Sequence, residues 1–544
     1  MYVQGCCVFL VLSCIYLGVI VHSAVLRDDL YKLDIIHYND FHDRFEETSV
    51  AYPVCKSNNS ECLGGFARLF MAIKLLRQEK PDALVLNAGD AFQGTYWYTL
   101  LKWNLMQKFI NMIPNDAHAI GNHEFDDGVA GLAPYLEALQ APVLAANMDT
   151  SKEPSLNGLY KPHVVLERKG RKIGIIGLTT QETTTTSNPQ KTLFLDPIAA
   201  AKKQAEVLTE NGVDIIIVLS HCGIAIDKKI AAEVGENIDI IVGGHSHSLL
   251  WNGTSPSNET ITGPYPVLVE STNKPGHKVL VVTASAFSKY LGNMTAYFDK
   301  HGDLQTFDGS PVFLNRSIPE DPEIKAQLQP YKEELDRQVN EVVGSAVGDL
   351  LTEPCGSREC AIGDFIADGF MSKVLERNVS QLPHVTFLLR NMIRGSIAGG
   401  EINRGAVINA LPFTNSVITL RIQGRFLVEA LEKTLTKSWS EKPFFNSPWM
   451  PQVAGMQLTL NTTKKTVESV LVKEDKEWKP LDPEREYQLV TLSFLSRGGN
   501  SFTMISDNAK NRTIIGQDSE VLEYYIRKQS PITPKLDNRL IIIK

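Results

Sequence analysis

Residues 238–247 read IDIIVGGHSH: an apolar β-branched run, two glycines, then His245 and His247. So short a run, so rich in isoleucine and valine, reads as a strand buried on both faces. Four other stretches have the same form. LDIIHYND (33–40) leads into Asp40 and His42, and ALVLNAGD (83–90) stops on Asp90. AHAIGNHEFD (117–126) carries Asn122 and His123, and DIIIVLSH (214–221) stops on His221. In open α/β sheets, sites form beyond the carboxyl ends of strands. One such end with a histidine means little. Five ends bearing only Asp, Asn and His, without cysteine, predict one shared oxygen-and-nitrogen site for two divalent cations.

Two cations need a bridging carboxylate and several further ligands. Asp90, alone at its strand end, is the natural bridge. Asp40 and His42, spaced i and i+2 in an extended segment, point the same way and can grip one ion. Asn122, His221 and His245 offer an amide oxygen and two imidazoles to the other. His247 repeats the i, i+2 spacing after His245 and can return to the first ion. Taken singly, each is as well explained by a cap or a hydrogen-bonded histidine; together they are not. His123 is better used for chemistry, with Asp126 three residues on to fix its tautomer and favour its charged form. A charged imidazole stabilises a developing phosphoryl oxyanion. The competing reading has Asp126 capping the next helix. Glu124 is given no role.

Around these ends the chain alternates. GGFARLFMAIKLLRQE and DPIAAAKKQAEVLTENG read as helices, the second opened by Asp-Pro and closed by Gly212, with the strand KIGIIGLTT between them. That alternation predicts a layered α/β domain over residues 25–317. Residues 318–345 are polar and rich in helix formers, and read as a linker helix despite Pro330. From 346 to 544 a buried helix, CAIGDFIADGFMSKVL, precedes many short strands, a pattern that predicts a separate α+β domain.

The chain has 544 residues, 43% hydrophobic and 21% charged, with a formal net charge of −8. It is globular, large enough for two or three domains, and ill suited to general nucleic-acid binding. Residues 8–21, VFLVLSCIYLGVIV, have the length of a signal-peptide core, and Ser23 and Ala24 follow as a cleavage site requires. No Lys or Arg precedes the run, so a signal anchor is the competing reading. The ending KLDNRLIIIK lacks the spacer and tail of a GPI signal, and no other stretch could span a bilayer. The expectation is a signal peptide at 1–24 and a secreted product without a membrane anchor. Cys55 with Cys62, and Cys355 with Cys360, are close pairs able to staple loops in an oxidising compartment, which leaves Cys222 as a buried free thiol. Eight sequons, at Asn58, Asn252, Asn258, Asn293, Asn315, Asn378, Asn461 and Asn511, favour a secreted glycoprotein.

NDFH, NAGD, GNHEFD, SH and GGHSH, in this order, closely resemble the metallophosphoesterase domain of the 5′-nucleotidase family. That family includes ecto-5′-nucleotidases, bacterial periplasmic nucleotide hydrolases and the secreted apyrases of blood-feeding arthropods. The resemblance covers nearly the whole mature chain. It implies a calcineurin-like α/β/β/α domain, a C-terminal α+β nucleotide-binding domain, and a two-metal hydrolase in which activated water attacks phosphorus in line. Asp40, His42, Asp90, Asn122, His221, His245 and His247 match ligand positions, and His123 with Asp126 matches the catalytic dyad. Zinc suits such a site, and calcium, magnesium or manganese could serve in use. In the second domain, Phe413 of ALPF and Phe494 of LSFLSRGGNSF match two aromatics that sandwich the base. Arg394 matches an arginine that holds phosphate, and Arg358 lies in the CGSREC loop that supplies another basic contact.

This chain departs from the family in its second domain. Leu389, Arg390, Asn391 and Met392 stand where the nucleotidases have Asn-Gly-Gly-Gly; Asn500 replaces the aspartate expected on the ribose hydroxyls; Gly356 replaces an arginine. These changes count against tight, AMP-selective binding. The function expected is a secreted apyrase of saliva that converts ATP and ADP to AMP and phosphate and so suppresses ADP-driven platelet aggregation. A soluble 5′-nucleotidase acting on AMP is the alternative, and a non-catalytic protein binding the platelet surface is a third reading.

Overall fold

The computed structural model describes residues 29–50, 53–55, 61–437 and 446–543. The expected signal segment 1–24 and the sequon Asn58 lie outside the described residues.

All five quoted runs form strands: β1 (Tyr31–Tyr38), β2 (Leu84–Asn87), β3 (Ala117–Ala119), β4 (Ile215–His221) and β5 (Ile240–Gly243). They divide between two sheets. The first runs in the order Leu304–Gly309, Tyr290–Phe298, β1, β2, β3, Val143–Leu144, and β1 to β3 pair in parallel. The second runs Val267–Glu270, Lys278–Val282, β5, β4, Arg171–Thr179, His163–Arg168, and β5, β4 and Arg171–Thr179 pair in parallel.

Alternation along each strand decides what it touches. In β1, Leu33 and Ile35 face the second sheet and join a core with Ile215, Ile217 and Leu219. Ile36 and Tyr38 face the other way, onto the helices Phe66–Glu79, Tyr96–Ile110 and Gly128–Ala138. Ala201, Ala205 and Leu208 of helix Pro197–Glu210, and Ile230 and Ala231 of helix Ile224–Val234, cover the outer face of the second sheet. The result is an α/β/β/α sandwich: the alternation of runs predicts the layered α/β domain, and the family resemblance implies its four layers. Asp196 caps helix Pro197–Glu210, its carboxylate accepting the Ile198 N–H at 2.9 Å.

The polar helix between the halves runs Pro322–Val339. It is not a bare connector: Ile324, Leu328, Leu335 and Val339 are buried in the core of the first half. The second half is α+β. A mixed sheet, in the order Pro451–Ala454, His384–Leu389, Glu486–Leu492, Ser416–Gln423, Lys510–Gln517, packs with helix Ala361–Glu376 around its own core. Disulfides join Cys55 to Cys62 and Cys355 to Cys360, and Cys222 is a buried free thiol whose pKa burial raises. Among the described residues no helix is long and apolar enough to cross a membrane. Of the described sequons, Asn252, Asn258, Asn378 and Asn511 are exposed and Asn293 and Asn315 half-buried. Asn461 is buried, its side-chain oxygen accepting the N–H groups of Thr463 and Lys464.

Ile217 lies fully buried between the sheets, so Ile217→Ala should lower unfolding free energy by about 2–5 kcal/mol in denaturant titrations. Leu268→Ala, on a 45% exposed position of an edge strand, should change it by less than about 0.5 kcal/mol.

Candidate metal centre

The carboxyl ends of β1 to β5 converge, and the chain turns sharply there. Asp40, His42, Asp90, His245 and His247 all adopt left-handed backbone angles, with φ of 49°, 47°, 56°, 71° and 50°. Each such non-glycine residue costs on the order of 1 kcal/mol and persists only where its surroundings enforce it. Backbone bonds zip the first two ends together: Asp40 N–H to Gly89 O (2.9 Å), His42 N–H to Asp90 O (3.0 Å) and Asp43 N–H to Ala91 O (3.0 Å). Glu124 holds the Asp90 turn from the third end. Its buried carboxylate accepts the N–H groups of Asp90 (3.0 Å), Ala91 (2.7 Å), Phe92 (3.2 Å) and Gly121 (2.7 Å). Gly121 must be glycine, because a Cβ there would lie 2.1 Å from Asp90 Oδ1.

Three overlapping groups result, each with its ligand atoms within 4.8 Å of one another: Asp40, His42 and His247; His42, Asp90 and His123; Asp90, His221 and His245. Asp90 belongs to two of them. His221 Nε2 lies 3.1 Å and His42 Nε2 3.7 Å from Asp90 Oδ2, while His247 Nε2 lies 3.2 Å from Asp40 Oδ1. Neighbouring groups fix the orientations. Asn39 donates to Asp40 Oδ2 at 2.6 Å and to Ser285 O at 2.6 Å. The His245 N–H reaches both oxygens of Asp40, at 3.1 and 3.0 Å. His42 Nδ1 donates to Gln93 O at 2.7 Å and His221 Nδ1 to Ala88 O at 2.6 Å.

Those two bonds decide what the cluster is suited to. With Nδ1 protonated, a neutral histidine presents a lone pair at Nε2. The Nε2 atoms of His42 and His221 thus point lone pairs at carboxylate oxygens, and His42 Nε2 faces His247 Nε2 at 3.1 Å. Asn122 Oδ1 is buried with no hydrogen-bond partner. Acceptors face acceptors, which divalent cations would resolve, and the donor set of carboxylate, imidazole and amide oxygen fits them. Without cations, protons must do this work. Burial alone would raise the Asp90 carboxyl, but the charges of His221 and His123 hold it well below the usual carboxylate range. Burial alone would lower His221, but Asp90 pushes it up to about 10.

His123 Nδ1 bonds Asp126 Oδ2 at 2.7 Å, and Ser187 Oγ donates to Asp126 Oδ1. Burial works to lower His123, but the charges of Asp126 and Asp90 outweigh it and the pKa is raised. Asp126 is not a cap: the residue flanking helix Gly128–Ala138 is Asp127.

The second half reaches this cluster through Arg394 and Phe413. The Phe413 ring stacks on His123 (centroids 5.7 Å apart, planes 20°), and the Arg394 guanidinium lies 5.3 Å from the Phe413 ring. Arg394 Nη2 is buried without a hydrogen-bond partner, and burial lowers its pKa against the pull of Asp90, Asp126 and Asp40. Phe413 and Phe494 make no ring contact with each other; Phe494 lies against Gly499, where a Cβ would approach its ring to 2.5 Å. Asn500 is buried, with Nδ2 unpartnered. Arg358 is exposed on the Cys355–Cys360 loop.

Sequence reasoning left Glu124 without a role and did not single out Asn39, Asp43 or Glu182. Asn39 opens the NDFH run, Asp43 follows it, and Glu124 lies inside GNHEFD, so position was the available signal. The buried Asp43 carboxylate accepts the Thr95 N–H and hydroxyl (2.8 and 2.7 Å) and the Tyr98 N–H (2.7 Å), tying the NDFH turn to the next helix.

A two-sheet sandwich with a carboxylate-and-histidine cluster at its parallel strand ends defines a calcineurin-like phosphoesterase, and that family's model matches residues 33–249. The model of the 5′-nucleotidase C-terminal domain matches residues 342–507. The chain belongs to the 5′-nucleotidase and apyrase family, and is a metal-dependent nucleotide phosphohydrolase. It is 40% identical to the apyrase of Tabanus yao over 541 residues, covering 96% of this chain and 97% of that one. It is 36% identical to the 5′-nucleotidase of Homo sapiens over 533 residues, covering 94% and 91%. The solved 5′-nucleotidase precursor from Thermus thermophilus superposes with a TM-score of 0.86 at 31% identity, covering 94% of this chain and 100% of that chain.

Glu124→Gln keeps the shape but replaces one of two accepting oxygens with a donor. Thermal unfolding should report a loss of about 1–3 kcal/mol, and manganese titrations a weakened site.

Proposed function

We propose that the protein is a secreted apyrase that removes phosphate from ATP and ADP, yielding AMP, and thereby suppresses ADP-driven platelet aggregation. What supports this reading is the altered nucleoside side of a chain that keeps every residue matching the family's cation-ligand positions. The ribose carboxylate is replaced by the neutral Asn500, while Arg394 keeps an unpartnered N–H beside the cluster. Such a pocket grips phosphates more than it selects one nucleoside monophosphate. The 40% identity to a protein named apyrase supports the same choice.

In this reading Asp40, His42 and His247 would hold one cation and Asn122, His221 and His245 the other, with Asp90 shared between them. Zinc, manganese, magnesium or calcium bound there would neutralise phosphoryl oxygens and activate the attacking water. His123, its Nδ1 held by Asp126, keeps Nε2 for an oxygen that gains charge at phosphorus. Arg394 holds a phosphate outside the cluster, and Phe413 and Phe494 take the base. The expected signal segment at 1–24 supports secretion, and the eight sequons support glycosylation.

The test is phosphate release from ATP, ADP and AMP under matched conditions, after chelation and repeated with each metal. ATP and ADP should be consumed and AMP spared; hydrolysis of AMP alone would make the protein a 5′-nucleotidase. Asp90→Ala should abolish turnover, and His123→Ala should lower kcat by about 10²–10³-fold. Platelet inhibition that survived both changes would point to binding instead.

The raised pKa of His123 gives a pH signature. Its charged form is complete below that pKa and lost as pH rises through it, so kcat/KM for ADP should fall on the alkaline side. Asp126→Asn removes the charge that raises the pKa and should move that limb to lower pH; an unmoved limb would exclude the dyad.

A further inference from the structure

Glu182 has no place in the ligand set, yet it touches both halves of the molecule. Its carboxylate lies 3.3 Å from His245 Nε2, and its two oxygens accept Lys437 Nζ at 2.7 and 2.8 Å. Its backbone is pinned. The Glu182 N–H donates to Thr180 Oγ1 at 3.2 Å, and the Thr185 and Thr186 hydroxyls donate to its carbonyl at 3.2 and 2.9 Å. Lys437 follows helix Gly424–Thr434 of the second half, with Nζ 5.2 Å from the Trp449 ring.

A neutral histidine that donates from Nε2 presents its lone pair at Nδ1. We infer that Glu182 is a positioning residue that turns His245 Nδ1 toward the cluster and, through Lys437, is itself held by the second half. The inference rests on the reading of the cluster as a cation site. The carboxylate makes two bonds at once, one within the first half and one across to the second. The Glu182–Lys437 pair is 44% and 33% exposed, so its own contribution to cation affinity is at most about fivefold. Orienting a ligand histidine weighs more, about 10–100-fold in affinity.

The experiment titrates chelated full-length protein with manganese alone by calorimetry. Wild type should bind two ions. Glu182→Gln should weaken one of the two by about 10–100-fold and spare the other, and Glu182→Asp should recover part of the loss. Lys437→Met should keep both affinities within about fivefold. Equal unfolding midpoints of the chelated proteins exclude misfolding as the cause. Wild-type affinity in Glu182→Gln overturns the inference, as does a wild type that binds no manganese. Nucleotide hydrolysis is read separately. A wild type that binds two ions but hydrolyses no nucleotide defeats the functional reading and leaves this one standing.

Discussion

One carboxylate organises the first half of the molecule. Asp90 sits 2% exposed where three loops meet: its N–H is held by Glu124, its carbonyl by the N–H of His42, and its oxygens by His221 and the N–H of His123. A buried carboxylate without countercharge is not tolerated, so everything that borders Asp90 must bring a donor, a proton or a cation. The parallel order of β1, β2, β3 and the facing β4 and β5 exists, in functional terms, to deliver those partners from five ends at once.

The fold and the cluster were legible because both depend on local, periodic signals. Apolar runs buried on both faces mark parallel strands, and in this architecture the residues just beyond them share one space. Glu124 was not legible for a physical reason. Its role is to accept N–H groups from Asp90, Ala91 and Phe92, more than thirty positions away in the chain, and no composition or spacing encodes such a bond. Glu182 escaped in the same way: it meets Lys437 across 255 positions. Asp126 was readable in both of its candidate roles; the 2.7 Å bond to His123 and the place of Asp127 before the helix separate them. The linker helix reads as polar because its exposed surface dominates its composition, while a stripe of Ile324, Leu328, Leu335 and Val339, with Tyr331 beside it, packs on the core of the first half.

The second half meets the first at the cluster. Phe413 lies on the His123 imidazole, with Arg394 beside it. Arg358 lies exposed on the CGSREC loop, where the Gly356 carbonyl accepts the Ser447 N–H at 2.7 Å.

The five left-handed residues in the turns after β1, β2 and β5 carry an evolutionary consequence. Natural selection against instability acts on every residue, and at these positions glycine or a relaxed backbone would make the fold firmer. The strain is retained only while phosphate chemistry rewards it. Descendants that abandoned turnover would therefore shed these residues early and melt at higher temperatures than their working relatives, so intact, strained turns are themselves a record of continuous use.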